Sequence, residues 1–362
     1  MQVVVSVEQL RRPVPGGIGV YTRGLLQGLR EMGSESPAVS ILSTGALPSG
    51  MLLRDLPMLR TRLPSRLIRF AWFHGLPGIP GAPRDNSVLH ATSFDFPFAS
   101  KMPVSAVIHD LGWRRFPEAY SKHGISWHES ALRRVTGIAR LLIVPSRQTE
   151  SDLRQAIGER QDKVRIEVVE WGVDHMDPPD DAATDELLAQ LGVDGKFFVC
   201  VGTMEPRKNL TTVVRAFALA KAQLGDSWSL IIVGPKGWGS STAEDMQEGV
   251  KVAGPVTGGV LSCLYSRSAA AVYIPLLEGW GFPAVEAMSM GVPVITSDVP
   301  SVAGRGAVVD PLDIRQVADA MVGIATDSKM AMRLADSGRQ AVAGMTWLEC
   351  ARRHVRLWEE IT

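Results

Sequence analysis

At 362 residues the chain is too long to close around one ordinary core, so two domains are expected. Lysine plus arginine and aspartate plus glutamate balance at 38 each, leaving a formal net charge of zero, which argues against bulk nucleic-acid binding. With 45% hydrophobic and 21% charged residues the composition is that of a soluble globular protein.

In chain order, short β-branched and aliphatic runs alternate with helical stretches. The predicted strands are residues 3–7, 39–42, 88–90, 104–108, 141–144 and 164–169, then 197–201, 230–233, 270–274, 292–296 and 307–309. Most are apolar on both faces, as strands inside a parallel sheet should be. Predicted helices lie between them, at 19–32, 146–157, 210–223, 283–290 and 314–325, and a last one spans 346–361 with Trp347, Ala351, Val355 and Trp358 near helical spacing. Such alternation predicts doubly wound α/β architecture. Residues 173–183, with Pro178 and Pro179 among aspartates, read as an exposed linker. We therefore expect a first domain over 1–176 and a second over 177–345, with the helix at 346–362 packing back on the first. Two Rossmann-like domains facing across a cleft is the natural arrangement, because ligands bind beyond the carboxyl ends of such strands.

Cys200, Cys263 and Cys350 are widely spaced, fit neither a disulfide framework nor a zinc pattern, and suit a reducing compartment. The first residues lack the basic-then-apolar pattern of a signal peptide, and no window reaches a membrane span. A cytoplasmic location is expected.

The first glycine-rich loop, Pro15-Gly16-Gly17-Ile18-Gly19, precedes a helix, where backbone amides can approach an anion. Thr22 stands where a dinucleotide fingerprint needs its third glycine, so NAD is poorly supported. A loop that merely turns tightly fits equally well.

The most informative stretch runs from Ile274 to Met288. A strand ends, a glycine-rich turn carries Glu278, Gly279, Trp280, Gly281 and Phe282, and Pro283 opens a helix that holds Glu286. Loop amides and the helix N-terminus suit a diphosphate. Glu286 lies among apolar residues, where an unpaired charge is costly, so it needs either a basic partner or a ligand presenting hydroxyls. With Glu278 before it and seven residues between them, a ribose or hexose is the better reading. Upstream, Gly202 closes a strand, and Arg207 and Lys208 follow at a helix start. Cations are unfavourable there unless an anion is present, and this pair suits a diphosphate leaving group.

As an ordered set, these residues resemble the large retaining glycosyltransferase family four, of GT-B fold. The paired glutamates match Glu278 and Glu286, the phosphate-binding pair matches Arg207 and Lys208, and the N-terminal glycine loop matches Gly16 and Gly17. Val107-Ile108-His109-Asp110-Leu111, Val144-Pro145-Ser146, Gly172-Val173-Asp174 and Asp310-Pro311-Leu312-Asp313 also match, while Trp171 and Trp280 stand where the family usually has Asn and Phe. The wording around His109 and Glu205 to Asn209 looks most like the polysaccharide mannosyltransferases, which mostly use GDP-mannose.

The resemblance implies that Glu278 contacts the transferred sugar and Glu286 the ribose. Gly202, Gly279, Gly281 and Phe282 would line the donor site, and His109 with Asp110 would face the donor sugar. It implies retention of configuration by a front-face route. No Asp-x-Asp triplet occurs, so no metal or other cofactor is expected. The partners implied are a nucleotide-sugar donor and a glycan or lipid-linked acceptor. From Leu53 to Gly75, five arginines (Arg54, Arg60, Arg62, Arg66, Arg69) accompany Leu67, Ile68, Phe70, Trp72 and Phe73, a pattern suited to anionic lipid at the inner face of the plasma membrane or to an ordinary surface helix. A non-catalytic sugar-nucleotide-binding protein and a GT-B epimerase are the alternatives.

Overall fold

The computed structural model describes residues 1–47, 53, 55–60, 65–74, 86–158, 164–237 and 247–362. They form two compact units, one of Met1–Gly172 with Met345–Thr362 and one of Val173–Gly344.

The first unit is built on seven strands: β1 (Gln2–Ser6), β2 (Ala38–Ser43), β3 (Met58–Arg60), β4 (Ser87–Ala91), β5 (Val104–Val107), β6 (Leu141–Val144) and β7 (Arg165–Val168). They lie in the order β3-β2-β1-β4-β5-β6-β7, all parallel. Strand order reverses between β1 and β4, the place where loops diverge and open a site at the carboxyl edge. Val4, Leu89, Ala106 and Leu142 from the central strands join Trp72, Trp113 and Leu132 in one buried cluster.

Helix Gly16–Glu31 starts earlier than its sequence suggests, with Pro15 at the N-cap. Gly16 and Gly17 thus form its first turn; Pro15's fixed backbone favours an early start, and its carbonyl accepts from Gln9 Nε2 at 2.8 Å. The glycines of this helix have a packing purpose further along. Helix Trp347–Glu359 lies against it so closely that a Cβ on Gly24 would sit 2.0 Å from the Trp347 ring, and one on Gly28 2.0 Å from the Trp347 carbonyl oxygen. A Cβ on Gly172 would likewise meet the Trp347 backbone at 2.3 Å. Trp347 and Trp358 are fully buried in the first unit.

The second unit repeats the plan with β8 (Lys196–Val201), β9 (Trp228–Val233), β10 (Val250–Gly254), β11 (Ala270–Tyr273), β12 (Val294–Thr296) and β13 (Ala307–Val308). Their order is β10-β9-β8-β11-β12-β13, so the reversal falls between β8 and β11. Phe198, Leu230, Val272 and Ile295 pack with Phe217 from helix Leu210–Leu224 and Met321 from helix Ile314–Thr326. Helix Phe282–Ser289 is stopped by Gly291, which takes φ +72° while its N–H and that of Val292 close back on Met288 O and Ala287 O. Among the described residues no helix is long and apolar enough to cross a membrane.

The basic-aromatic stretch divides across helix Ser65–Phe73. Leu67 and Phe70 are exposed at 60% and 63%, whereas Ile68 and Trp72, four residues apart on the inner face, belong to the core. Those two are thus not part of a surface patch. Arg54, Arg62 and Gly75 lie outside the described residues.

Candidate active site

At the β8–β11 reversal the second unit gathers its charges. After β8 the chain makes a single 3-10 turn, Pro206–Lys208, and Asn209 then takes a left-handed conformation at φ +58° before helix Leu210–Leu224. Asn209 is held in that turn by its own amide, which donates to Pro311 O at 2.7 Å and Ile274 O at 3.3 Å. Three segments that match the family separately in sequence are therefore tied together by one side chain. Leu276 N also donates to Arg207 O at 2.9 Å, stitching the loop after β11 to that turn.

Arg207 and Lys208 both converge on Glu278 Oε1, at 2.9 and 2.5 Å. Arg207 further donates to Leu277 O and to Glu205 Oε1, each at 2.9 Å, and Lys208 to the Tyr273 hydroxyl at 2.9 Å. Two cations and two carboxylates thus balance in a largely buried cluster. Burial alone would raise the Glu278 pKa; the Arg207 and Lys208 charges outweigh it and hold the carboxyl down at about 2. Burial and the Glu278 charge push Tyr273 well up, so its hydroxyl keeps its proton. Gly202 passes beside the stem of Lys208, 3.6 Å from where a Cβ would stand.

Glu286 lies apart from that cluster, 6% exposed. Its partners are neither Arg nor Lys: His175 Nε2 meets Oε1 at 3.0 Å, and the Tyr265 hydroxyl donates to Oε2 at 3.3 Å. His175 also stands edge-on to Phe282, with ring centroids 5.6 Å apart. Gly281 caps this helix at φ +100°, and a Cβ there would strike Val299 at 2.3 Å, so only glycine fits. Gly279 is buried in the same turn.

In the first unit, His109 follows β5. Its Nε2 meets the Thr92 carbonyl at 2.8 Å, and because a carbonyl only accepts, Nε2 carries the hydrogen. Burial pulls its pKa down to about 4, against the opposing pull of Thr92 and Asp110, so the ring is neutral with its lone pair on Nδ1. Asp110 accepts from Gly112 N at 2.8 Å and shapes the turn. Thr92 Oγ1 donates to Ser6 O at 2.7 Å, which ties His109 to the ends of both β4 and β1. Nearby, Arg69, Phe70, Trp72, Phe94, Asp95 and Trp127 line a concavity of about 280 Å³. Asp95 there accepts from Arg12 at 2.9 Å.

Of the residues expected from sequence, the fold brings Glu278, Arg207 and Lys208 together and sets Glu286 in a separate polar cluster with His175 and Tyr265. Glu205, Tyr273, Tyr265 and His175 are not among those so expected. Two of these carried a signal: Glu205 opens the matched stretch to Asn209, and His175 directly follows the Gly172-Val173-Asp174 segment.

Comparison with known proteins points the same way. Residues 15–176 match the model of Glycosyltransferase Family 4 and residues 185–341 that of Glycosyl transferases group 1. The O-antigen chain mannosyltransferase B of Escherichia coli is 26% identical over 75% of this chain and 74% of its own length. A GDP-mannose:cellobiosyl-diphosphopolyprenol alpha-mannosyltransferase from Xanthomonas oryzae is 26% identical over 69% of this chain and 67% of its own. Among solved structures, Anabaena Alr3699/HepE in complex with UDP-glucose superposes with a TM-score of 0.73 at 15% identity, covering 99% of this chain and 100% of that one.

Proposed function

We propose, for a chain that belongs to the GT-B glycosyltransferases through both of its domains, a retaining transfer of mannose from GDP-mannose to a glycan or lipid-linked acceptor in polysaccharide or cell-envelope synthesis. The observation that carries this reading is the cluster of Arg207 and Lys208 on Glu278 at a strand-order reversal, where α/β sheets bind ligands. A departing nucleoside diphosphate brings negative charge to such a place, and two preorganised cations stabilise it as it develops. Glu278, fully ionised, accepts from hydroxyls of the sugar; Glu286, fixed by His175 and Tyr265, accepts from the ribose. Gly202, Gly279, Gly281 and Phe282 line the donor beside them, and Gly16 and Gly17 offer helix amides.

In the front-face route the bond from the anomeric carbon to the diphosphate oxygen breaks and the acceptor oxygen bonds from the same side. The acceptor proton passes to the departing phosphate. Neutral His109 takes a sugar hydroxyl on its Nδ1 lone pair, and Asp110 keeps the turn that presents it. With Arg207 and Lys208 carrying the leaving-group charge, transfer proceeds without a metal. Turnover unchanged by EDTA is expected, and a strict requirement for added Mg²⁺ or Mn²⁺ would refute it.

The aromatic concavity with Asp95 and Arg69 suits an acceptor sugar, whose C–H faces stack on rings while its hydroxyls need polar partners. Exposed Leu67 and Phe70, with Arg69 beside them, suit peripheral contact with anionic lipid at the cytoplasmic face. The mannose and GDP assignments draw on the activities of the sequence relatives. They are tested by incubating the protein with a panel of sugar nucleotides and a lipid-linked glycan acceptor, measuring released nucleotide and the anomeric coupling of the product. Preference for UDP-glucose overturns them, and an inverted product overturns retention.

A further inference from the structure

The first unit buries a chain of polar side chains that the mechanism above does not use. The Tyr21 hydroxyl lies between two imidazoles, 2.9 Å from His90 Nε2 and 2.8 Å from His354 Nε2. His354 Nδ1 meets the Cys350 carbonyl at 2.8 Å, and His90 Nδ1 meets Ser105 Oγ at 3.1 Å. Tyr21, His90 and His354 are fully buried. Burial lowers both histidines, His354 to about 4, so each is neutral and carries one hydrogen.

That fixes every proton in the chain. The Cys350 carbonyl only accepts, so His354 donates from Nδ1 and accepts at Nε2. Tyr21 therefore gives its single hydrogen to His354, and its oxygen must accept from His90 Nε2. His90 Nδ1 then accepts from Ser105. One direction of donation runs from β5 through β4 and helix Gly16–Glu31 into helix Trp347–Glu359.

The Tyr21 ring so anchored stands edge-on to His109, with centroids 5.4 Å apart at 80°. Trp171 closes on His109 at 5.0 Å and on Tyr21 at 4.9 Å. We propose that Tyr21, His90 and His354 are positioning residues: through the Tyr21 ring they hold the His109 imidazole in the one orientation that keeps its Nε2–H on the Thr92 carbonyl, the bond that sets its tautomer, so that a helix made of residues 347–359 is a working part of the first-unit site. This rests on the role given to His109 above.

The experiment uses full-length protein labelled with 15N at histidine, and reads long-range proton–nitrogen spectra together with kcat and donor KM. Wild-type His109, assigned by loss of its signals in His109→Asn, should show the Nε2–H tautomer. Tyr21→Phe keeps the ring and removes both hydrogen bonds. It should shift the His109 nitrogens toward a tautomer mixture and lower kcat about tenfold, with donor KM unchanged. His354→Gln, which keeps an acceptor near the Nε2 position, should retain more activity than His354→Leu. If Tyr21→Phe fails to fold, these two His354 variants carry the test. Unchanged His109 nitrogens and unchanged kcat in a folded Tyr21→Phe, or in both His354 variants, would overturn the positioning role. Normal turnover in His109→Asn would overturn the reading of His109 itself, while the tautomer shift would still report on the anchor.

Discussion

Two buried clusters, one in each unit, hold their ionisable groups by opposite means. In the second, Glu278 stays charged because Arg207 and Lys208 lie on it, which holds its pKa near 2. In the first, His90, His109 and His354 are kept neutral because burial disfavours their charged forms, and hydrogen bonds rather than ions satisfy them. Charge is preserved where opposite charges are packed together and removed where only hydrogen bonds are on offer. Each solution fails differently when a partner is lost or the pH falls.

The largest effect is expected on the neutral side. Trp347→Ala removes a fully buried indole seated on Gly24 and Gly28 and should cost about 3–5 kcal/mol. Hydrogen exchange should report the loss first in peptides of the first unit; equal loss of protection in both units would blunt the contrast. Next comes the charged side, where Glu278→Ala or Lys208→Ala should lower turnover by about a hundredfold, or ~2.7 kcal/mol, with the fold intact. Near-normal rates in both would break the electrostatic account.

Acid separates the two units more finely. A histidine whose folded pKa is depressed contributes stability above its unfolded value of about 6.5, lost as pH falls toward the folded one. His354 alone then costs on the order of 2 kcal/mol at pH 5. Glu278 is also depressed, so its contribution holds above the unfolded carboxylate value and fades only as pH falls toward 2. Exchange measured between pH 7 and pH 4 should therefore show the first unit opening before the second, and the reverse order would contradict the assignment. The smallest effect is expected at His175→Leu, which leaves Glu286 with Tyr265 alone. Donor KM should rise about tenfold with kcat nearly held, and a kcat defect instead would move His175 into the chemical step.

Both sheets were legible because central strands of a parallel sheet are apolar on both faces, and those runs stand out. The edge strands Met58–Arg60 and Val250–Gly254 escaped notice, since an edge needs only one buried side and three to five residues suffice. Helix Gly16–Glu31 begins three residues before the sequence suggests, because glycines read as loop while Pro15 sets the first turn. Within the site, Glu278, Arg207 and Lys208 were visible because charges beside a glycine turn are conspicuous. Tyr265 and Tyr273 are not, because each sits in a segment that reads as helix or strand end and gains its partner only through folding; Glu205 stands in a matched stretch, but nothing there shows that it shares Arg207 with Glu278. Tyr21, His90 and His354 are separated by up to 333 residues, so nothing local joins them.

The seam between Trp347 and the glycines of helix Gly16–Glu31 bears on how the molecule is made. Ribosomal synthesis delivers Met1–Gly172 first, yet Met345–Thr362, which completes that unit, emerges only after all of Val173–Gly344. The Val173–Gly344 unit is thus fully synthesised while the first unit still lacks the Trp347 that fills its glycine groove and the His354 that bonds Tyr21. A nascent chain cut short before Trp347 would keep the Arg207–Lys208–Glu278 cluster and lack His354, and with it one end of the hydrogen-bonded chain through Tyr21.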